Sequence, residues 1–138
     1  MSNEKVVGEI MHKGVIACKP DAPIQEVVRI VADTDVHAIV VMGGDNAVLG
    51  IISHMDIIRL YGQNLMEHTA SDVMTRDVIF TTPNATVVEA AREMLERDVH
   101  RLLVCTMTAE GHHKPVGIVS TTDIVKEMRG AKWMWYMG

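Results

Sequence analysis

Gly50-Ile51-Ile52-Ser53-His54-Met55-Asp56-Ile57 and Gly117-Ile118-Val119-Ser120-Thr121-Thr122-Asp123-Ile124 are one segment written twice, 67 positions apart. Upstream of the first copy, Met11, Val15, Ile16, Pro20, Ala22, Glu26, Arg29, Asp35, Val36, His37 and Val41 return 63 positions later as Met74, Val78, Ile79, Pro83, Ala85, Glu89, Arg92, Asp98, Val99, His100 and Val104. The change of offset places four extra residues between Val104 and Gly117, where TMTAEGHHKP is polar and carries Gly and Pro. That is a surface loop insertion. A repeat of this period decides the fold, since each unit must be read as a copy of the other.

Each copy opens with a short apolar turn (Val7, Ile10, Met11; Val73, Met74) and a brief β-branched strand, Val15-Ile16 or Val78-Ile79. Ile24, Val27, Val28 and Val31 then follow helical spacing, copied by Val87, Ala90, Ala91, Met94 and Leu95. Thr86 and Glu89 form a capping box for the second helix, and Pro23 suits the opening of the first. Ala38–Met42, the turn GGDN and Val48–Ile52 read as a hairpin of buried strands. Ser53 and Asp56 open a helix running to about Tyr61, as Ser120 and Asp123 open one ending near Arg129. The fold class is α/β (α+β): two tandem pseudo-symmetric β-α-β-β-α repeats packed as one module.

At 138 residues the chain is one domain in length, and a unit of half that size is marginal alone, burying only ~60% of its unfolded surface. The halves are therefore expected to pack together, as repeat 1 (1–62), a linker (63–69), repeat 2 (70–130) and an aromatic tail (131–138). Function is best sought in the cleft between them.

Thirteen Lys and Arg against eighteen Asp and Glu leave a charge of −5, without a basic block, which argues against a nucleic-acid partner. The shortage of aromatics before Trp133 also removes a stacking platform for single strands. No apolar run approaches the ~18 residues of a membrane span, and MSNEKVVGEI is not a signal peptide, so no membrane partner and a cytoplasmic location are expected. Cys18 and Cys105 follow no metal or redox spacing and read as reduced, buried small hydrophobes. Met42, Met94 and Met128 sit at core spacings.

The repeat, with its lead-in ending in Met11 or Met74, its Asp-Val-His stretch before a buried strand and its closing Gly-Ile-[Ile/Val]-Ser-x-x-Asp-Ile, resembles the cystathionine-β-synthase (CBS) domain. Two such repeats resemble a CBS pair, or Bateman module, over about residues 6–130. The resemblance implies a regulatory module that binds an adenosine-containing ligand between the repeats and dimerises. It further implies ribose-binding carboxylates at Asp123 and Asp56, able to accept both hydrogen bonds of a diol. Hydroxyl groups are implied at Ser120, Thr121 and Thr122, but only at Ser53 in repeat 1, and phosphate contacts at His100 and Arg101. Repeat 1 has His37-Ala38 there and lacks the guanidinium. The adenine pocket is implied near Ile16 and His37 for the Asp123 site, and near Ile79 and His100 for the Asp56 site. The Asp123 site ranks first, with Arg101 near the mouth between sites, and the Asp56 site stands second or is degenerate.

Simpler roles compete. The two Ser-x-x-Asp pairs are good helix caps, worth ~1 kcal/mol each. His37 and His100 could be satisfied by nearby backbone, whereas Arg101, at the entrance to a buried strand, needs an anionic partner. His112 and His113 are adjacent, a poor spacing for chelation, so no metal site is read there. Trp133, Trp135 and Tyr136 suit a dimer contact.

The leading reading is a stand-alone regulator sensing AMP, ADP or ATP and signalling to an unknown partner, with no catalytic cofactor. Binding of NAD or S-adenosylmethionine is the alternative, as is a ligand-free dimerisation scaffold. No nucleophile triad, GxxxxGK[ST] loop or strong metal spacing supports an enzyme.

Overall fold

A computed structural model describes residues 4–129. The tail with Trp133, Trp135 and Tyr136 lies outside the described residues. Repeat 1 runs α1 (Val7–Ile10), β1 (His12–Lys13), β2 (Ile16–Cys18), α2 (Ile24–Asp33), β3 (Ala38–Met42), β4 (Val48–Ser53) and α3 (His54–Ile58). A 3-10 turn (Leu65–Glu67) leads into α4 (Ala70–Val73), β5 (Phe80–Thr81), α5 (Val87–Arg97), β6 (Arg101–Met107), β7 (His113–Ser120) and α6 (Thr121–Met128). The mixed α+β architecture expected from the repeat is present.

The strands form two sheets, β2-β3-β4 and β1-β7-β6-β5. Strands β3 and β6 are apolar at almost every position because both of their faces are covered. In β3, Ile39 and Val41 join the core under α2, while Ala38 and Val40 face the other sheet. In β6, Leu102 and Val104 pack under α5, and Leu103 and Cys105 meet Ala38 and Val40 in the seam between the sheets. By the same period of two, Arg101 shares the seam face with Leu103 and Cys105.

The lead-ins are exchanged between the repeats. Val7 of α1 is fully buried among Ala90, Met94 and Leu102 of repeat 2, and its N–H donates to the Ala85 carbonyl at 2.8 Å. Reciprocally, Ala70 and Met74 enter the core of Ile24, Val27 and Ile39, and the Ala70 N–H donates to the Ala22 carbonyl at 2.9 Å. The chain after each lead-in lies on the other repeat's hairpin: β1 pairs antiparallel with β7, and Thr75 bridges Ile51. Gly50 and Gly117 make these crossings. A Cβ on Gly50 would stand 2.7 Å from the Thr75 carbonyl oxygen, and one on Gly117 would land on the His12 carbonyl oxygen and 2.9 Å from Met11 Sδ.

Several sequence expectations need correction. The opening strands are Ile16–Cys18 and Phe80–Thr81, one or two residues later than Val15-Ile16 and Val78-Ile79, because their parallel pairing to β3 and β6 begins there. Helix α3 stops at Ile58 rather than Tyr61. Leu95 is 83% exposed and Met128 76%, since each helix turns only a narrow stripe to the core and neither residue lies on it. Cys18 is half-buried, whereas Cys105 is buried. His113, in the insertion, stacks on Phe80 with ring centroids 4.2 Å apart.

Candidate functional site

The exchanged lead-ins bring the start of each repeat against the closing helix of the other, and a cleft forms at each crossing. Helices α3 and α6 begin with the same cap. The Ser53 N–H and hydroxyl donate to Asp56 Oδ2 at 2.9 and 3.1 Å, and those of Ser120 to Asp123 Oδ2 at 2.8 and 3.1 Å. The Asp123 N–H donates back to Ser120 Oγ at 3.4 Å. Each carboxylate therefore caps with one oxygen and leaves the other for a further partner, and that of Asp56 lies in a cleft, so capping does not exclude ligand contact. Both residues are buried, Asp56 5% and Asp123 7% exposed.

The outward oxygens meet different partners. Asp56 Oδ1 accepts from the Thr75 hydroxyl at 2.9 Å and from Arg59 Nη1 at 3.1 Å. Among the described residues Asp123 Oδ1 has only His12 Nε2, at 3.5 Å. His12 Nε2 also stands 2.9 Å from His37 Nε2, with ring centroids 4.6 Å apart. Burial and the neighbouring His12 hold His37 below the usual histidine value, Asp123 opposing them.

The cleft beside Asp56 has a volume of about 340 Å³ and is lined by Ser53, Asp56, Arg59, Thr75, Ile79, His100 and Arg101, with Asp77 and Asp98 at its wall. Arg101 Nε is buried there without a hydrogen-bond partner among the described residues. Burial lowers its pKa and Asp56 raises it; the group stays cationic. The second cleft, about 390 Å³, is lined by His12, Lys13, Val15, Ile16, Asp35, His37, Ala38 and Ile118. Asp123 adjoins it through His12. Both volumes fall in the range of small-molecule sites.

The structure thus brings Ser53, Ile79, His100 and Arg101 together with Asp56, and Ile16 and His37 into the cleft next to Asp123. Ser120 is buried in its cap. Thr121 and Thr122 are exposed on α6 and line neither cleft; the Thr121 N–H donates to the His100 carbonyl at 2.9 Å. Arg101 lies on the Asp56 cleft, and its charge reaches His37 across the seam. Sequence reasoning missed His12, Thr75 and Arg59. His12 and Thr75 occupy one repeat position, next to Met11 and Met74, but their unlike chemistry hides the match. Among the described residues no group of three His, Cys, Asp or Glu side chains is placed to hold a metal, and no helix is long and apolar enough to cross a membrane.

The family model of the CBS domain matches residues 7–62 and 70–130. An uncharacterized protein of Methanocaldococcus jannaschii, MJ1225, is 32% identical over 128 residues, covering 92% of this chain and 44% of its own length. The chain thus spans less than half of that relative, and 24% of the inosine-5'-monophosphate dehydrogenase of the same organism, which is 25% identical over 91% of this chain. Among solved structures, an uncharacterized conserved protein from Pyrococcus horikoshii is 27% identical, with TM-score 0.76 and coverage of 98% of this chain and 100% of the other. The CBS domain pair of protein MJ0100, in complex with 5'-methylthioadenosine and S-adenosyl-L-methionine, is 25% identical, with TM-score 0.79 and coverage of 94% and 99%.

Proposed function

The chain belongs to the CBS-domain family, and from that premise we propose that it is a regulatory module that binds an adenine nucleotide (AMP, ADP or ATP) in an inter-repeat cleft and signals its occupancy to a partner protein. The observation that carries the reading is the Arg101 guanidinium in the Asp56 cleft, with Nε buried and without a hydrogen-bond partner among the described residues. A buried, unsatisfied cationic donor is costly, and a phosphate oxygen would satisfy it. Asp56 Oδ1 would take the ribose diol, displacing Thr75 and Arg59, while Ile79 and the His100 backbone flank the adenine. This reading puts the Asp56 cleft ahead of the Asp123 cleft, whose own set is Asp123, Ser120, Ile16 and His37, with Thr121 and Thr122 outside it.

Signalling requires that the ligand bind two packings of the module unequally. In the same reading the chain is a cytoplasmic homodimer with no catalysis of its own.

The MJ0100 complex supports an adenosine-containing ligand and favours a second reading, S-adenosylmethionine or a related thioether. Thermal unfolding against AMP, ADP, ATP, NAD, 5'-methylthioadenosine and S-adenosylmethionine tests both. A ligand at ~100 times its Kd adds ~2.7 kcal/mol, a shift of several degrees. Stabilisation by the phosphorylated ligands that Arg101→Met weakens about 10- to 100-fold supports the nucleotide reading. Stabilisation by thioethers alone supports the second, and no shift with any ligand leaves a dimerisation scaffold.

A further inference from the structure

We propose that the facing imidazoles of His12 and His37 form a proton-dependent anion subsite on the Asp123 cleft, serving there the role that the fixed charge of Arg101 serves on the Asp56 cleft. The ligand class is a phosphate-type anion, carried by a nucleotide or free in solution. The nucleotide source rests on the function proposed above; the subsite itself rests on geometry.

His12 Nε2 and His37 Nε2 are 2.9 Å apart and both rings line the cleft. At that distance the two nitrogens share one proton, one donating and the other accepting. Two imidazoliums cannot face each other so closely unless an anion lies between them. An entering phosphate offers acceptors to both rings, and its negative charge favours the imidazolium over a mere switch of tautomer, so both rings donate and a proton is taken up. Space exists because Ala38 stands where repeat 2 has Arg101, and Gly14 where it has Asp77.

The surrounding charges define the balance. Asp123 of α6 lies 3.5 Å from His12 Nε2, and Lys13 of β1 and Asp35, ahead of β3, line the same cleft. Arg101 of β6 and His54 of α3 bear on His37, both disfavouring its proton. On the Asp56 cleft, Arg59 and Arg101 keep their charge across neutral pH, so an anion bound there takes up no proton from them. The charge that Arg101 supplies is thus fixed, whereas the charge that His12 and His37 supply depends on the proton; the one histidine lining the Asp56 cleft, among the described residues, is His100.

The test is histidine-ring NMR of the full chain between pH 5.5 and 8.5, alone, with inorganic phosphate and with AMP, against chloride at matched ionic strength. The expected result is a rise in the pKa of both rings with AMP, summing to about one unit and equivalent to about ten-fold tighter binding with falling pH. His12→Gln should abolish the rise at His37, and His37→Gln that at His12. If inorganic phosphate also moves both rings, a free anion suffices; if AMP alone does, the nucleoside is required. Either result supports the subsite. AMP that stabilises the fold while both rings titrate unchanged overturns it and leaves the nucleotide reading standing. Phosphate that moves the rings while no nucleotide stabilises the fold upholds the subsite and removes the nucleotide reading. Rings that respond to neither ligand overturn the subsite.

Discussion

The Asp56 and Asp123 clefts occupy the same place in two copies of one sequence, yet only their frames agree. The frame is the capping carboxylate, the opening strand and the glycine at the crossing, and in the two copies the Ser N–H reaches the capping carboxylate at 2.9 and 2.8 Å. The inner surface does not: Thr75 on one cleft stands where the other has His12, and Arg101 where the other has Ala38. Packing tolerates few substitutions where backbones cross, whereas a cleft wall in contact with solvent can change its charge at little structural cost. Two sites can therefore diverge in ligand chemistry while the scaffold stays symmetric.

The frame gives the largest expected effect. Gly117→Ala should destabilise by about 3 kcal/mol or more, because its Cβ meets the His12 backbone, and Gly50→Ala should follow closely against Thr75. Urea unfolding midpoints measure both, and a loss below about 1 kcal/mol in either would mean that the crossing yields. Next, Asp56→Ala should cost about 2–3 kcal/mol without ligand and Asp123→Ala about 1–2, since Asp56 also holds Thr75 and Arg59. Equal losses would erase this asymmetry between the clefts.

Arg101→Met should leave the ligand-free protein unchanged or up to about 1 kcal/mol more stable, as it removes an unsatisfied buried donor. A clear loss would mean that Arg101 is already satisfied by the fold and is not waiting for an anion.

The smallest effect belongs to pH. His37 has a folded pKa below its unfolded value near 6.5, so below that pH the unfolded chain binds more protons and stability falls with pH. It is fully present above about 6.5 and lost as the pH drops through the folded value. Comparing the melting temperature at pH 5.5 and 7.5 for the wild type and His37→Gln isolates this contribution, and an identical pH dependence in both would remove it.

Much of the fold was legible because buried, two-faced strands and one-faced helices repeat their apolar residues at fixed offsets. Ile39 recurs as Leu102 and Val41 as Val104, whatever the loops do. The family followed from the same repetition. What remained hidden was contact between segments remote in sequence. Nothing in Met11-His12 announces that it lies on Gly117, and nothing in Arg101 says which cleft it enters, since the seam it faces is shared by both repeats. Thr121 and Thr122 show the converse: they hold the motif's positions by sequence, and the fold leaves them exposed on the first turn of α6.

The exchange of lead-ins also sets a schedule for synthesis. His12 emerges early, but Ile118, its partner in the sheet, is made 106 residues later. At roughly 5–20 residues per second the first strand waits about 5–20 s for its place. Until then the Asp123 cleft lacks Ile118, whereas the last residue lining the Asp56 cleft, Arg101, is made 17 residues earlier, a lead of about 1–3 s in synthesis.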